Sequence, residues 1–565
     1  MSYGIIPVTM KTLIRTIKSD KPRQKRINLI IDILLIAAAL LSTAKLLILG
    51  LTVDEEYAVT MAYRNAIGDG MFTYMWEPHQ TSGFICTALI RAFINVTGST
   101  DYLVIFLRFS GFIIEAFVSI FVYTTFRKNY SRHLAFSAAI LSFLILPKWI
   151  LTPEFSNILI WSFICLMMCI MRIYSGAGGK VVWAILAGVF TCTSILAYPS
   201  CILAVPFILY AIHLVGAKTY RKSALITFST CIIIGSGYIG YFLTRMSAGN
   251  FAFGIRQMLS DGSHSSSTDK LFWILSEFKD SIVTLLIITV ATVLIYTTCQ
   301  KVNKEKKISS GAILTIILIV SIVYQLIYWL IPANLYFNRP LLYLYIAFIL
   351  GVMICRDNNK LLWIFYIPNI AIWGCVMLVT NTGFRATGAF LMPCIILSLV
   401  ILCDEKSIPL SHTALFLMIF VLFFARGYLV MENNGYKETI QFVKQKALSG
   451  PAEGIYCVYN DGYAYNTVTE LLNEYGEEGD SILVAGSHSL WYMLGDYKVG
   501  TYSTISTPTF DGKLLDYYEL YPDRRPNLII GQEDSEELQT VVKLLDLGEP
   551  LGRLNGLVIY CSKMV

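Results

Sequence analysis

The sequence predicts a polytopic α-helical membrane protein, of about thirteen spans, with a soluble α/β domain at its C-terminal end. Composition and charge spacing carry that reading. Of 565 residues, 56% are hydrophobic and 15% charged, against roughly 25% charged in an average soluble domain, and the mean hydropathy is +0.61. Runs such as 29–50, 223–243 and 361–379 approach or exceed the ~20 apolar residues that cross the hydrocarbon. Basic clusters then fall on alternate loops, as the positive-inside rule requires.

Residues 1–27 carry Lys11, Arg15, Lys18, Lys21, Arg23, Lys25 and Arg26 and are expected in the cytoplasm. The apolar stretch after them is too long for a signal-peptide core and lacks an A-x-A site, so it is read as a retained first span. Spans are drawn at 28–51, 102–125, 133–151, 156–173, 181–197, 200–216, 223–243, 280–299, 310–332, 339–355, 360–380, 387–403 and 410–430. Together they form a membrane domain over 28–431, whose odd span count puts the first loop, 52–101, and the tail, 432–565, outside. The loops drawn as cytoplasmic hold Arg127, Lys128 and Arg132; Lys218, Arg221 and Lys222; Lys301, Lys304, Lys306 and Lys307; and Arg356 with Lys360. The segment 82–96, short and broken by Arg91, is placed as a juxtamembrane or re-entrant helix. With no targeting peptide, the expected location is a bacterial plasma membrane.

From about Glu432 the apolar runs shrink to strand length, at 455–459, 481–485, 527–530 and 557–561. Amphipathic helical stretches near 436–448, 463–475, 511–520 and 535–546 alternate with them, which indicates a small α/β domain. The thirteen cysteines show no CxxC pair or ligand spacing and read as small hydrophobes; a Cys457–Cys561 disulfide is open. The net charge of +6 follows from the cytoplasmic loops and implies no nucleic-acid partner. No G-x-G-x-x-G or P-loop supports nucleotide binding.

Acidic residues are scarce and are expected to gather at outer span ends. Asp54, Glu55 and Glu56, followed by Tyr57, close the first span; they either mark the water boundary or form a functional site. The loop continues through Gly68-Asp69-Gly70 to Trp76-Glu77-Pro78-His79-Gln80, and a further carboxylate follows the third span in Leu151-Thr152-Pro153-Glu154. Glu154 either acts chemically or caps the helix that begins at Phe155.

This order of motifs, with Ile185-Leu-Ala-Gly188 to Tyr198-Pro199 and Asn338-Arg339-Pro340 further on, resembles the C-type (GT-C) membrane glycosyltransferases. It looks most like their bacterial protein O-mannosyltransferase and aminoarabinose transferase branch. The resemblance covers the first ~200 positions best. It implies transfer of a sugar from a polyprenyl-phosphate donor to a glycan, lipid or protein acceptor on the outer face, among membrane lipids, with no metal or other cofactor generally required, although a divalent cation stays open. Asp54 is the expected base, and displacement by the activated hydroxyl should invert the anomeric carbon. Glu55 and Glu154 are the supporting carboxylates; Tyr57, Glu77, His79 and Tyr198 support the acceptor or the loop. The leaving phosphate needs cations from among Arg64, Arg108, Lys148, Arg245, Arg256, Arg339 and Arg385, with Arg339, Arg256 and Arg108 singled out because guanidinium suits phosphate. His79 beside Glu77 is too few ligands for a metal site.

The serine-rich stretch from Met246 to Lys270 is expected to be a mobile connection or lid. The turn Val484-Ala-Gly-Ser-His488 after a strand could hold an anion. A transporter or flippase, which predicts midplane charges and inverted repeats, a polymerase of lipid-linked glycans, and a non-catalytic scaffold are the competing readings.

Overall fold

A backbone placed in hydrocarbon can satisfy its N–H and C=O groups only internally, so the apolar runs fold as helices. The structure is a computed structural model that describes residues 21–148, 150–176, 178–260, 267–302, 310–330, 345, 359–380, 387–404, 411–428, 444–505 and 510–562. In chain order the helices are α1 (Lys21–Ala44), α2 (Val53–Ile67), α3 (Phe84–Thr97), α4 (Leu103–Phe126), α5 (Arg132–Phe143), α6 (Phe155–Tyr174), α7 (Lys180–Ala197) and α8 (Val205–Thr219). They continue as α9 (Ser223–Leu243), α10 (Ala248–Leu259), α11 (Ser267–Val302), α12 (Ser310–Leu330), α13 (Asn359–Val379), α14 (Met392–Asp404) and α15 (Ser411–Tyr428).

Among the described residues, six helices are long and apolar enough to cross a membrane, within α1, α4, α6, α7, α9 and α11. Shorter apolar helices occur at Pro199–Val215, Thr315–Ile327, Ile364–Val379, Gly388–Asp404 and His412–Phe424. Leu225, Ile232 and Ile233 on α9, with Leu286, Val290 and Leu294 on α11, are all more than half exposed. Apolar surface that extensive requires a lipid surround. The expected span 133–151 is helical only over Arg132–Phe143, because Pro147 disfavours continuation. The expected span 339–355 lies outside the described residues except for Tyr345, and 82–96 forms α3, packed on α2 and α4.

Helix α6 is the axis of the bundle: every residue from Phe155 to Ile173 is buried, among α4, α7 and α8. Close approach of α4 to the segment before α6 depends on Gly111, where a Cβ would sit 1.7 Å from the Leu151 carbonyl oxygen. Acidic residues are not confined to span ends, as Glu115 lies inside α4. It pairs at 2.7 Å with Arg426 of α15, both buried, and Arg426 also donates to the Phe143 carbonyl. The pair ties α4, α5 and α15 together.

The tail contributes β1 (Lys444–Lys446), β2 (Tyr456–Val458), α16 (Tyr459–Tyr475), β3 (Ser481–Ala485), β4 (Lys498–Val499), α17 (Phe510–Leu520), β5 (Leu528–Gln532), α18 (Glu536–Leu544), β6 (Gly552–Leu554) and β7 (Leu557–Cys561). The main sheet runs β4-β3-β5-β7-β6, with β3 parallel to β4 and β5 and with β7 antiparallel to β5 and β6. Alternating residues send Ile482, Val484, Ile530 and Ile559 to the α16 side and Leu483, Ile529 and Val558 to the α17–α18 side. A helix was expected across 436–448; 444–446 instead pairs antiparallel with β2, a long-range contact that overrides helical periodicity, and 436–443 lies outside the described residues. Cys457 and Cys561 are free thiols in different sheets.

Gly111→Ala is expected to destabilise the protein by about 3 kcal/mol through overpacking, read as a lowered melting temperature in detergent; an unchanged melt would mean that α4 does not approach Leu151 this closely.

Candidate active site

Three consecutive helical residues point about 100° apart, and the acidic triplet exploits this. Thr52 caps α2, accepting the Glu55 amide, and the three carboxylates lie in the first turn, where the helix dipole favours negative charge. Asp54 pairs with Lys148 at 2.8 Å. Glu55 is fully buried and takes Arg108 Nε at 2.8 Å, a second Arg108 N–H and the Thr152 hydroxyl. Glu56, also buried, faces Nδ1 of His488 at 3.8 Å.

The Asp54 direction gathers four of the anticipated residues, Glu154, Tyr57, His79 and Tyr198. Lys148 Nζ lies 3.8 Å from Glu154 and 4.2 Å from the centroid of the Phe155 ring. The His79 ring stacks on Phe155 at 4.1 Å and meets Tyr198 edge-on at 5.2 Å. Tyr198 hydroxyl is 3.2 Å from Ser156 Oγ, and Tyr57 hydroxyl accepts the His79 amide at 3.4 Å. Side-chain exposure separates the acids here: Asp54 is 44% exposed, whereas Glu154 is buried and caps α6, accepting the amides of Ser156 at 2.9 Å and Asn157 at 2.8 Å. The capping role of Glu154 is therefore present together with its approach to Lys148.

Glu77 lies elsewhere. It accepts Arg64 Nη1 at 3.0 Å, Ser503 Oγ at 2.6 Å and the Thr504 amide at 2.8 Å, while Arg64 also reaches Asp69 and the carbonyls of Tyr74 and Thr501. Burial pushes the Glu77 carboxyl up, with Arg64 and the Ser503 and Thr504 hydrogen bonds opposing. Trp76 stacks on Tyr502, so this part of the 52–101 loop is a clamp on the tail. The turn after β3 does meet an anion, the carboxylate of Glu56. His488 would be pushed down by burial, but Glu56 and Asp461 outweigh that and raise it above 6.5.

Of the cations singled out, Arg108 is held by Glu55 and by the carbonyls of Leu46, Leu47, Leu49 and Gly50, so its donors face protein. Arg256 is exposed on α10, and Arg339 and Arg385 lie outside the described residues. Among the described residues, Lys148 is the one of these cations that pairs with Asp54. The stretch expected to be mobile contains α10, capped by Ser247 and fastened through Gln257 to Lys513; Gly254 packs against Phe72. Residues 261–266 lie outside the described residues. Among the described residues, no three His, Cys, Asp or Glu side chains are grouped to hold a metal.

No protein-family model and no curated protein matches the chain. Among solved structures it is similar to archaeal oligosaccharyltransferase AglB from Archaeoglobus fulgidus in complex with an inhibitory peptide and a dolichol-phosphate, at 12% identity and TM-score 0.40, over 90% of this chain and 70% of that one. The oligosaccharyltransferase of the same organism in its apo form is similar at 9% identity and TM-score 0.45, over 88% and 69%. Its complex with Zn and sulfate gives 12% and 0.36, over 88% and 68%. Likeness at this level carries no functional argument, which rests on the residues above.

Arg108→Ala strands Glu55 and should cost about 3–5 kcal/mol, whereas Arg108→Met with Glu55→Leu should recover part of the loss; equal melts for wild type and the single variant would contradict the pairing. Because the folded-state value of His488 is raised, its contact contributes fully below the ordinary histidine value and is lost as pH climbs through the raised one. Thermal stability should thus fall as pH rises past the ordinary histidine value and through the raised one, with a component that His488→Gln lacks.

Proposed function

We propose that this protein is an integral membrane glycosyltransferase that moves a sugar from a polyprenyl-phosphate donor to a hydroxyl acceptor, with Asp54 as the base. One observation carries the reading: Asp54 is the half-exposed carboxylate of a first-turn triplet whose other two members are buried against Arg108 and His488. A base must reach substrate, and Asp54 is placed to do so. The GT-C resemblance of the surrounding motifs supplies the substrate class.

In this reading the acceptor hydroxyl lies against the Asp54 carboxylate and its oxygen attacks the anomeric carbon. The bond from that carbon to the phosphate oxygen breaks, the electron pair leaves with the polyprenyl phosphate, and Asp54 takes the hydroxyl proton. Attack opposite the leaving group inverts the anomeric centre. Lys148, a compact charge on a flexible stem, is the cation for the departing phosphate; Arg256 and Arg339 remain supplementary candidates. Glu154 holds Lys148 from behind and keeps the start of α6 in place. His79, Phe155, Tyr57 and Tyr198 form the aromatic wall of the site.

The reading places the chain in a bacterial plasma membrane, with the N-terminus cytoplasmic and both the Asp54 loop and the tail outside. Contacts between α2 and residues 489–493 support the part of this reading that has loop and tail on one face.

The test is transfer of radiolabelled sugar from polyprenyl-phosphate donors into membranes expressing the protein. Asp54→Asn at matched expression should lower the rate by roughly 10²- to 10⁴-fold. Undiminished transfer by the variant, or none by wild type with any donor, turns the argument toward a transporter or scaffold.

A further inference from the structure

A second site lies in the tail. At the C-terminal end of β5, a polar cleft of about 410 Å³ is lined by Asn460, Tyr463 and Thr467 of α16, Gln532 at the end of β5, Asp534 just beyond it, and Asn555. Positions 460, 463 and 467 share one face of α16 by helical spacing. Asn555 is delivered by the two-residue turn between β6 and β7, where Asn555 and Gly556 both take positive φ, 55° and 78°, as a primed hairpin turn demands. Its Nδ2 donates to Thr467 Oγ1 at 3.3 Å, which sets the back of the cleft. Open α/β sheets bind ligands outside the carboxyl ends of their strands, which is where this cleft sits.

The lining defines what would fit. It contains three carboxamides, one carboxylate and no basic side chain, so it offers paired donors and acceptors without the cations that a phosphate or nucleotide needs. One wall carries an aromatic ring, that of Tyr463, which is 42% exposed and is backed outside the cleft by Tyr459 at 5.8 Å and 10°. Polar groups on the other walls and an open ring on one suit a flat molecule that has vicinal hydroxyls at its edges and C–H groups on its faces. That is a pyranose.

We propose that this cleft binds a neutral saccharide, with Tyr463 as the stacking platform and Asn460, Gln532, Asp534 and Asn555 as hydroxyl partners. Its position gives the binding a use. Asp461, adjacent to Asn460, is one of the carboxylates acting on His488, and His488 faces Glu56, two residues from Asp54. The cleft thus lies on the same edge of the sheet as the loop that docks on α2. That the saccharide belongs to the acceptor rests on the transferase reading; that the cleft binds it does not.

The experiment uses the full chain in detergent on a microarray of neutral oligosaccharides. Wild type should retain a defined subset, Tyr463→Ala should lose at least about tenfold in apparent affinity, and Tyr463→Phe should keep it. Retention of no glycan by wild type, or equal retention by Tyr463→Ala, overturns the proposal. Binding that survives while transfer proves independent of Asp54 removes the transferase reading alone, and transfer without binding removes this one alone.

Discussion

The buried pairing of Glu55 with Arg108 is the constraint on which the site depends. A carboxylate and a guanidinium taken fully out of water must satisfy each other and their remaining donors, and here they do so with Thr152 and the carbonyls that end the first span. That demand joins three pieces distant in sequence: the start of α2, the interior of α4 and the segment before α6. With Glu55 fixed inward, helical geometry leaves Asp54 and Glu56 no choice but to face two other directions, one toward Lys148 and one toward the tail.

The tail is correspondingly more than an appendage. It supplies Ser503, Thr504 and the Thr501 carbonyl as further partners to Glu77 and Arg64 of the 52–101 loop. Arg524 adds a second cation at Asp69. The fastening is polar and buried, so it specifies one docking geometry where an apolar face would tolerate several. Glu77, Arg64 and Asp69 belong to that fastening, while Tyr57 and His79 turn the other way, to Phe155 and Tyr198, and build the aromatic wall.

Local chemistry explains what could be read from the sequence and what could not. The acidic triplet, Thr-Pro-Glu before α6, His79 and Tyr198-Pro199 each stand out because charge, proline and histidine are conspicuous in an apolar chain, whereas the contact of His79 with Tyr198 appears only in the fold. Strands β3 and β7 follow directly from apolar runs of strand length. Partner identity is different. Glu115 and Arg426 are 311 positions apart, and nothing local to either announces the other. Arg108 looks available for phosphate until the carbonyls at the end of the first span are seen around it. Lys148 is one basic residue among several until folding sets it between Asp54 and Glu154, and Glu77 reads as a companion of His79 in supporting the acceptor or the loop until residues 501–504 arrive.

The fastening between Glu77 and Ser503 spans 426 positions of the chain, which ties completion of the outer loop to the end of synthesis. At ~5–20 residues per second, the loop emerges tens of seconds before its last ligands exist. Until then Arg64, Asp69 and Glu77 have only one another, and water fills the place of the tail. The loop beside Asp54 is thus assembled last, after every helix of the bundle has been translated, so a ribosome that stalls late leaves behind a bundle without its finished outer surface.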